Sequence, residues 1–97
     1  MEREEIAKLI EGTYSDANQH FVTRVMCNND VTHYGYFNSF DDYTELKAKN
    51  QYRFIPRNNY LSLKNEYSKK GKYNTNHSII LKGEEVVDVE FVLPLHI

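Results

Sequence analysis

Apolar positions recur along the chain with a period that changes from segment to segment. Within Glu2 to Glu11, Ile6, Leu9 and Ile10 fall at i, i+3 and i+4, which predicts a short amphipathic helix ended by Gly12. Glu2, Glu4 and Glu5 lie where the helix dipole favours negative charge. From His20 to Asn28 the residues are β-branched, aromatic or apolar, and Phe21, Thr23, Val25 and Cys27 share one face of a predicted strand. Asn28-Asn29-Asp30 is turn chemistry, because these side chains bond to nearby backbone and tolerate positive φ. A second strand is predicted from Val31 to Phe40, bent at Gly35. Asp41-Asp42 then breaks the pattern. Thr44, Leu46, Ala48, Tyr52 and Phe54 alternate within Tyr43 to Ile55, which predicts a long third strand ended by Pro56.

Asn59 to Lys70 returns to helical spacing. Asn59 caps it, Tyr60, Leu63 and Tyr67 form its apolar stripe, Glu66 and Lys70 pair at i, i+4, and Gly71 stops it. A polar connector runs to Asn76. Ser78 to Leu81 and Glu85 to Leu93 are the last two strands, joined through Lys82-Gly83-Glu84, with Val87, Val89, Phe91 and Leu93 on one face. The expectation is a single domain over residues 1–97, mainly β with short helices: a small, bent, five-stranded antiparallel barrel with an N-terminal helix (2–12) and an inserted basic segment with a helix (49–77).

Composition narrows the function classes. The chain has 97 residues, 40% hydrophobic and 27% charged, which is ordinary for one small globular domain. Eight tyrosines and no tryptophan suit half-buried strands. Cys27 is the only cysteine, so no intrachain disulfide can form, and on a strand face it reads as a small core residue. The polar, acidic start does not fit a signal peptide and no apolar run is long enough to span a membrane, so a cytoplasmic protein with no membrane partner is expected. No catalytic constellation is evident. Asp41 and Asp42 diverge on a turn; His20, His33, His77 and His96 lack metal-ligand spacing; and no glycine-rich phosphate loop is present. A non-enzymatic protein without cofactor or metal is the expectation.

Charge is unevenly placed. Lys47 to Lys82 holds nine basic residues and one acidic one, a balance of +8, whereas the remainder balances at −10. Within this segment Tyr52, Phe54, Tyr60, Tyr67 and Tyr73 interleave with Arg53, Arg57, Lys64, Lys69, Lys70 and Lys72. Cations for phosphates beside aromatic faces for bases is the chemistry of single-strand binding. The same aromatic spacing also fits the core face of a strand and a helix.

The run Gly35-Tyr36-Phe37-Asn38-Ser39-Phe40-Asp41-Asp42-Tyr43-Thr44-Glu45-Leu46 resembles the first signature of the Sm and Lsm (Sm-like) proteins, with Gly35, Phe37, Phe40, Asp41 and Leu46 in register. Ile79-Ile80-Leu81-Lys82-Gly83-Glu84-Glu85-Val86-Val87-Asp88-Val89 resembles the second. The resemblance implies a bent five-stranded barrel, a homo-oligomeric ring in which the fourth and fifth strands of neighbours pair, and single-stranded, uridine-rich RNA as partner. It puts Tyr43, Glu45 and Lys82 at the base-binding pocket. Here Glu45 stands in place of the family's asparagine, Lys82 in place of its arginine and Asp30 in place of a glycine, and the segment 49–77 is longer than the family's usual link. The alternative is a protein-interaction domain of the same fold that has lost the RNA pocket and uses the basic segment against an acidic protein.

Overall fold

The first helix, α1 (Arg3–Thr13), forms around two isoleucines one turn apart: Ile6 and Ile10 are buried, and Glu4 and Glu5 occupy the first turn. The computed structural model describes residues 3–13, 21–71 and 75–93, and within them not the side chains of 63, 64, 67, 68 and 75. Gly12 lies inside α1 rather than ending it. The last turn is closed by buried Thr13, whose Oγ1 donates to the Ile10 carbonyl (2.7 Å).

Strands β1 (Val22–Cys27) and β2 (Thr32–Phe37) form a hairpin with Thr23 opposite Gly35 and Val25 opposite His33. Asp30 supplies the positive φ (63°) that the reversal needs, and Asn29 Oδ1 accepts from the Val31 amide. Beyond β2 the expectation of a long third strand fails. Tyr43–Ala48 is a helix, α2, and only Gln51–Pro56 is strand, β3. Tyr43 and Lys47 sit one helical turn apart and both bond Glu11 of α1. That tertiary contact rewards a period of four over the period of two seen in the sequence. The helix α3 (Arg57–Lys70) follows β3 directly and ends at Gly71, whose φ is 72°. Then come β4 (Ile79–Lys82), a single 3₁₀ turn at Gly83–Glu85, and β5 (Val86–Val92).

The five strands form one antiparallel sheet in the order β4-β3-β2-β1-β5. One face carries Val25, Phe37, Tyr52, Phe54, Leu81 and Val89, and Ile6 and Ile10 of α1 complete that core. Phe54, fully buried, meets the edges of Phe37 (ring centroids 4.9 Å apart) and His33 (6.0 Å). The other face buries Val22 and Ile55, and there Tyr36, opposite Ile55, packs on Tyr60 of α3 (4.4 Å). The consecutive apolar pair Phe54-Ile55 is thus explained by burial on both faces.

Edge strands β4 and β5 are joined by only three residues. In a flat sheet of five strands the edges would be roughly 19 Å apart. A 3₁₀ link from Lys82 to Val86 covers about 8 Å. The sheet therefore curls strongly. Hydrogen bonds hold both ends of the link: Gly83 N donates to Asn50 O (2.7 Å) and Asn28 N to Glu85 O (2.8 Å). Among the described residues no ladder joins β4 to β5, so the sheet is open, and α1 packs against β5 and the link. The architecture is thus a curled antiparallel sheet with three α-helices rather than a closed barrel. Gly35 serves a close approach within it: a Cβ there would stand 2.0 Å from the Ile55 carbonyl oxygen.

Candidate functional site

The residues expected to form one pocket are distributed differently by α2. Tyr43 lies in its first turn, and its hydroxyl donates to Glu11 Oε1 (2.7 Å). Lys47 pairs with the same oxygen and sits 5.8 Å from the Tyr43 ring centroid. The Lys47 and Tyr43 hydrogen bonds hold the Glu11 carboxyl below its ordinary range. Burial, reinforced by Glu11, pushes the Tyr43 hydroxyl up, and the bond to Glu11 raises Lys47. This Tyr43 ring is engaged with α1. Glu45 points into solvent from the middle of α2. The expected strand that was to present Tyr43 and Glu45 side by side is absent from this stretch.

The residue that meets Lys82-Gly83 is Asn50. It adopts φ 57° as the chain turns from α2 into β3. Its carbonyl accepts from Gly83 N, and its side chain lies against Gly83 so closely that a Cβ there would come within 2.3 Å of Oδ1. That Oδ1 is buried and has no hydrogen-bond partner among the described residues. Lys82, opposite Gln51 at the end of β4, is exposed beside it. Arg3 arrives from the start of the chain, donating to the carbonyls of Lys47 and Ala48 (both 3.3 Å). Lys49 is exposed at the C-terminus of α2. The corner therefore combines an amide with a spare acceptor, an exposed ammonium and two further cations. Sequence reasoning missed Asn50 and Arg3. The one available signal was that asparagine tolerates the left-handed conformation a sharp turn requires. Arg3 is 44 positions from the nearer carbonyl it binds, and no local pattern announces it.

The basic segment also separates into parts. Arg53 donates from Nε (3.2 Å) and Nη2 (2.9 Å) to Asp42 Oδ2 and from Nη1 to Ser78 Oγ (3.3 Å), with its side chain 18% exposed. It braces β3 against its neighbours and is not presented to a ligand. Arg57, Lys69 and Lys70 are exposed on α3; Lys64 lies in α3 with an undescribed side chain, and Lys72 falls outside the described residues. Tyr52 and Phe54 are core residues and Tyr60 packs on Tyr36, so these three offer no free stacking platform. The side chain of Tyr67 and all of Tyr73 lie outside the described residues. Cys27 is buried, and burial pushes its thiol up, away from reactivity. Among the described residues no group of histidine, cysteine and carboxylate side chains is placed to hold a metal ion. No described helix is long and apolar enough to cross a membrane. No family model, no curated protein and no solved structure matches the chain.

Proposed function

We propose that this chain is a non-enzymatic, Sm-like small-barrel module that assembles with copies of itself and binds single-stranded RNA at the Asn50–Lys82–Gly83 corner. The observation that carries the reading is the strand order β4-β3-β2-β1-β5 with a one-turn link between the two edge strands. This arrangement supports a barrel-like curl and leaves β4 and β5 as edge strands suited to pairing with neighbours. The β4 edge ends in Lys82 and β5 carries Asp88, so head-to-tail pairing of β4 with β5 of the next copy brings opposite charges together. Exposed Ile80 on β4, and Val87 and Phe91 on β5, add apolar surface to those edges.

At the corner, exposed Lys82 suits a phosphate and the half-buried Asn50 side chain suits a base edge. Tyr43, engaged with Glu11, is not needed for this pocket, and Glu45 lies outside it. The test is fluorescence titration of oligo-uridine against wild type, Asn50→Gly and Lys82→Glu. Asn50→Gly preserves the left-handed turn while removing the amide, so weaker binding by this folded variant supports the pocket. Equal binding by all three proteins rejects it.

A second reading, a protein-interaction domain of the same fold, is favoured by the engagement of Tyr43. It takes precedence if wild type does not bind oligo-uridine at low salt.

A further inference from the structure

The outward face of α3 has a composition of its own. Arg57, Leu61, Asn65 and Lys69 are spaced i, i+4, i+8 and i+12, so they form one line along the helix, and all four are exposed. Asn58 flanks this line, whereas Lys70, one turn beyond Glu66, lies on the Glu66 side of the helix. The only acidic residue of α3, Glu66, points the other way, to His77 Nε2 at 3.1 Å. Among the described side chains the face is thus cationic at both ends, about 18 Å apart at 1.5 Å per residue, with the amides of Asn58 and Asn65 and one leucine between. Among the described residues none of Arg57, Lys69 and Lys70 forms an ion pair with an acid of this chain.

We infer that this face of α3 docks in the major groove of double-stranded DNA, a function separate from the corner at Asn50. Charge complementarity supplies the polyanion, and the middle of the face selects its form. Tyr52, Phe54 and Tyr60 of the basic segment are packed inward, so none of them offers this face a stacking platform for single strands. A helix about 10–12 Å across fits the major groove of B-form DNA, about 12 Å wide, whereas the deep, narrow groove of duplex RNA excludes it. Asn58 and Asn65 carry the donor–acceptor pair that matches the adenine edge, and Leu61 between them suits a thymine methyl group. Arg57 and Lys69 then meet phosphates on either side and fix the register.

The test uses the full chain and fluorescence anisotropy with a labelled A·T-rich 20-base-pair DNA duplex at two salt concentrations. Wild type is expected to bind, with an affinity that falls steeply with salt. Arg57→Glu with Lys69→Glu should weaken binding at least about tenfold and flatten the salt dependence by about 0.9 for each phosphate left without its cation. Lys8→Glu, an exposed charge on α1, should leave it unchanged. Asn65→Ala should reduce the preference for the A·T-rich over a G·C-rich duplex about fivefold or more. Circular dichroism confirms that each variant is folded. Failure of wild type to bind the duplex, binding that survives the Arg57/Lys69 reversal, or equal competition by poly-glutamate or oligo-uridine each overturns the inference. Since the corner is probed separately by Asn50 and Lys82 variants, failure here leaves that reading intact.

Discussion

At the scale of single residues, two positions are set by distances too short for an ordinary side chain. A Cβ on Gly35 would stand 2.0 Å from the Ile55 carbonyl oxygen, which is backbone and cannot rotate away. Gly35→Ala should therefore push β2 from β3 and cost at least the ~1–3 kcal/mol typical of overpacking, measured by urea denaturation. A loss under about 0.5 kcal/mol would show that the two strands are not held this closely. Asn50 is the other position. Its φ of 57° makes a β-branched residue strained, so Asn50→Val should destabilise the fold by about 1–3 kcal/mol while Asn50→Gly stays close to wild type. The comparison of those two variants separates the turn from the amide. A glycine within a strand run and an asparagine after a lysine-rich stretch are both visible in the sequence. What each touches is not, since Ile55 and Gly83 lie 20 and 33 positions away.

At the scale of elements, α1 is held partly by a cluster on its exposed side. Glu11 accepts from Tyr43 and Lys47, and Arg3 bonds the carbonyl end of α2. The carboxyl of Glu11 is lowered in the folded state, so its contribution is fully present above the ordinary glutamate range, about pH 4.3, and is lost as pH falls through its depressed value. Glu11 and Lys47 are about a third or more exposed, so solvent screens the pair and its contribution is small. Glu11→Gln should accordingly lower the melting temperature by a few degrees at neutral pH and leave it unchanged at pH 2. Thermal melts across that pH range decide it, and an equal loss at both ends would reject a charge-based clamp. The same cluster explains why local patterning points to a strand where α2 forms. Thr44, Leu46 and Ala48 alternate as a strand would, but only Leu46 is buried, and the pairing of Tyr43 with Lys47 through Glu11 exists only once α1 has docked.

At the scale of the whole molecule, the exposed edges govern behaviour. Phe21 and Phe91 lie against each other at 5.9 Å yet remain 41% and 48% exposed, and Val87 and Leu93 extend the apolar surface along and beyond β5. A domain of 97 residues has little buried surface to spare, and bare edges of this kind favour association. Sedimentation at high micromolar concentration should show an oligomer, and Phe91→Glu should shift it to monomer with the fold retained by circular dichroism. A wild-type monomer at that concentration would refute the assembly.

Periodicity by itself determined the presence of α1 and α3, the β1–β2 turn, five strand segments and the stop at Gly71, because each depends on residues within a few positions of one another. It also marked the concentration of positive charge between Lys47 and Lys82. Only the tertiary structure decided that the third strand begins at Gln51, that Arg53 is a brace rather than a free cation, and that Tyr52 and Phe54 are core. It likewise decided that Asn50 rather than Glu45 meets Lys82-Gly83. Each of these rests on a partner brought close by the curl of the sheet or the docking of α1. A side chain's role as ligand, brace or core follows from what the fold sets beside it, and local patterning carries no record of that neighbour.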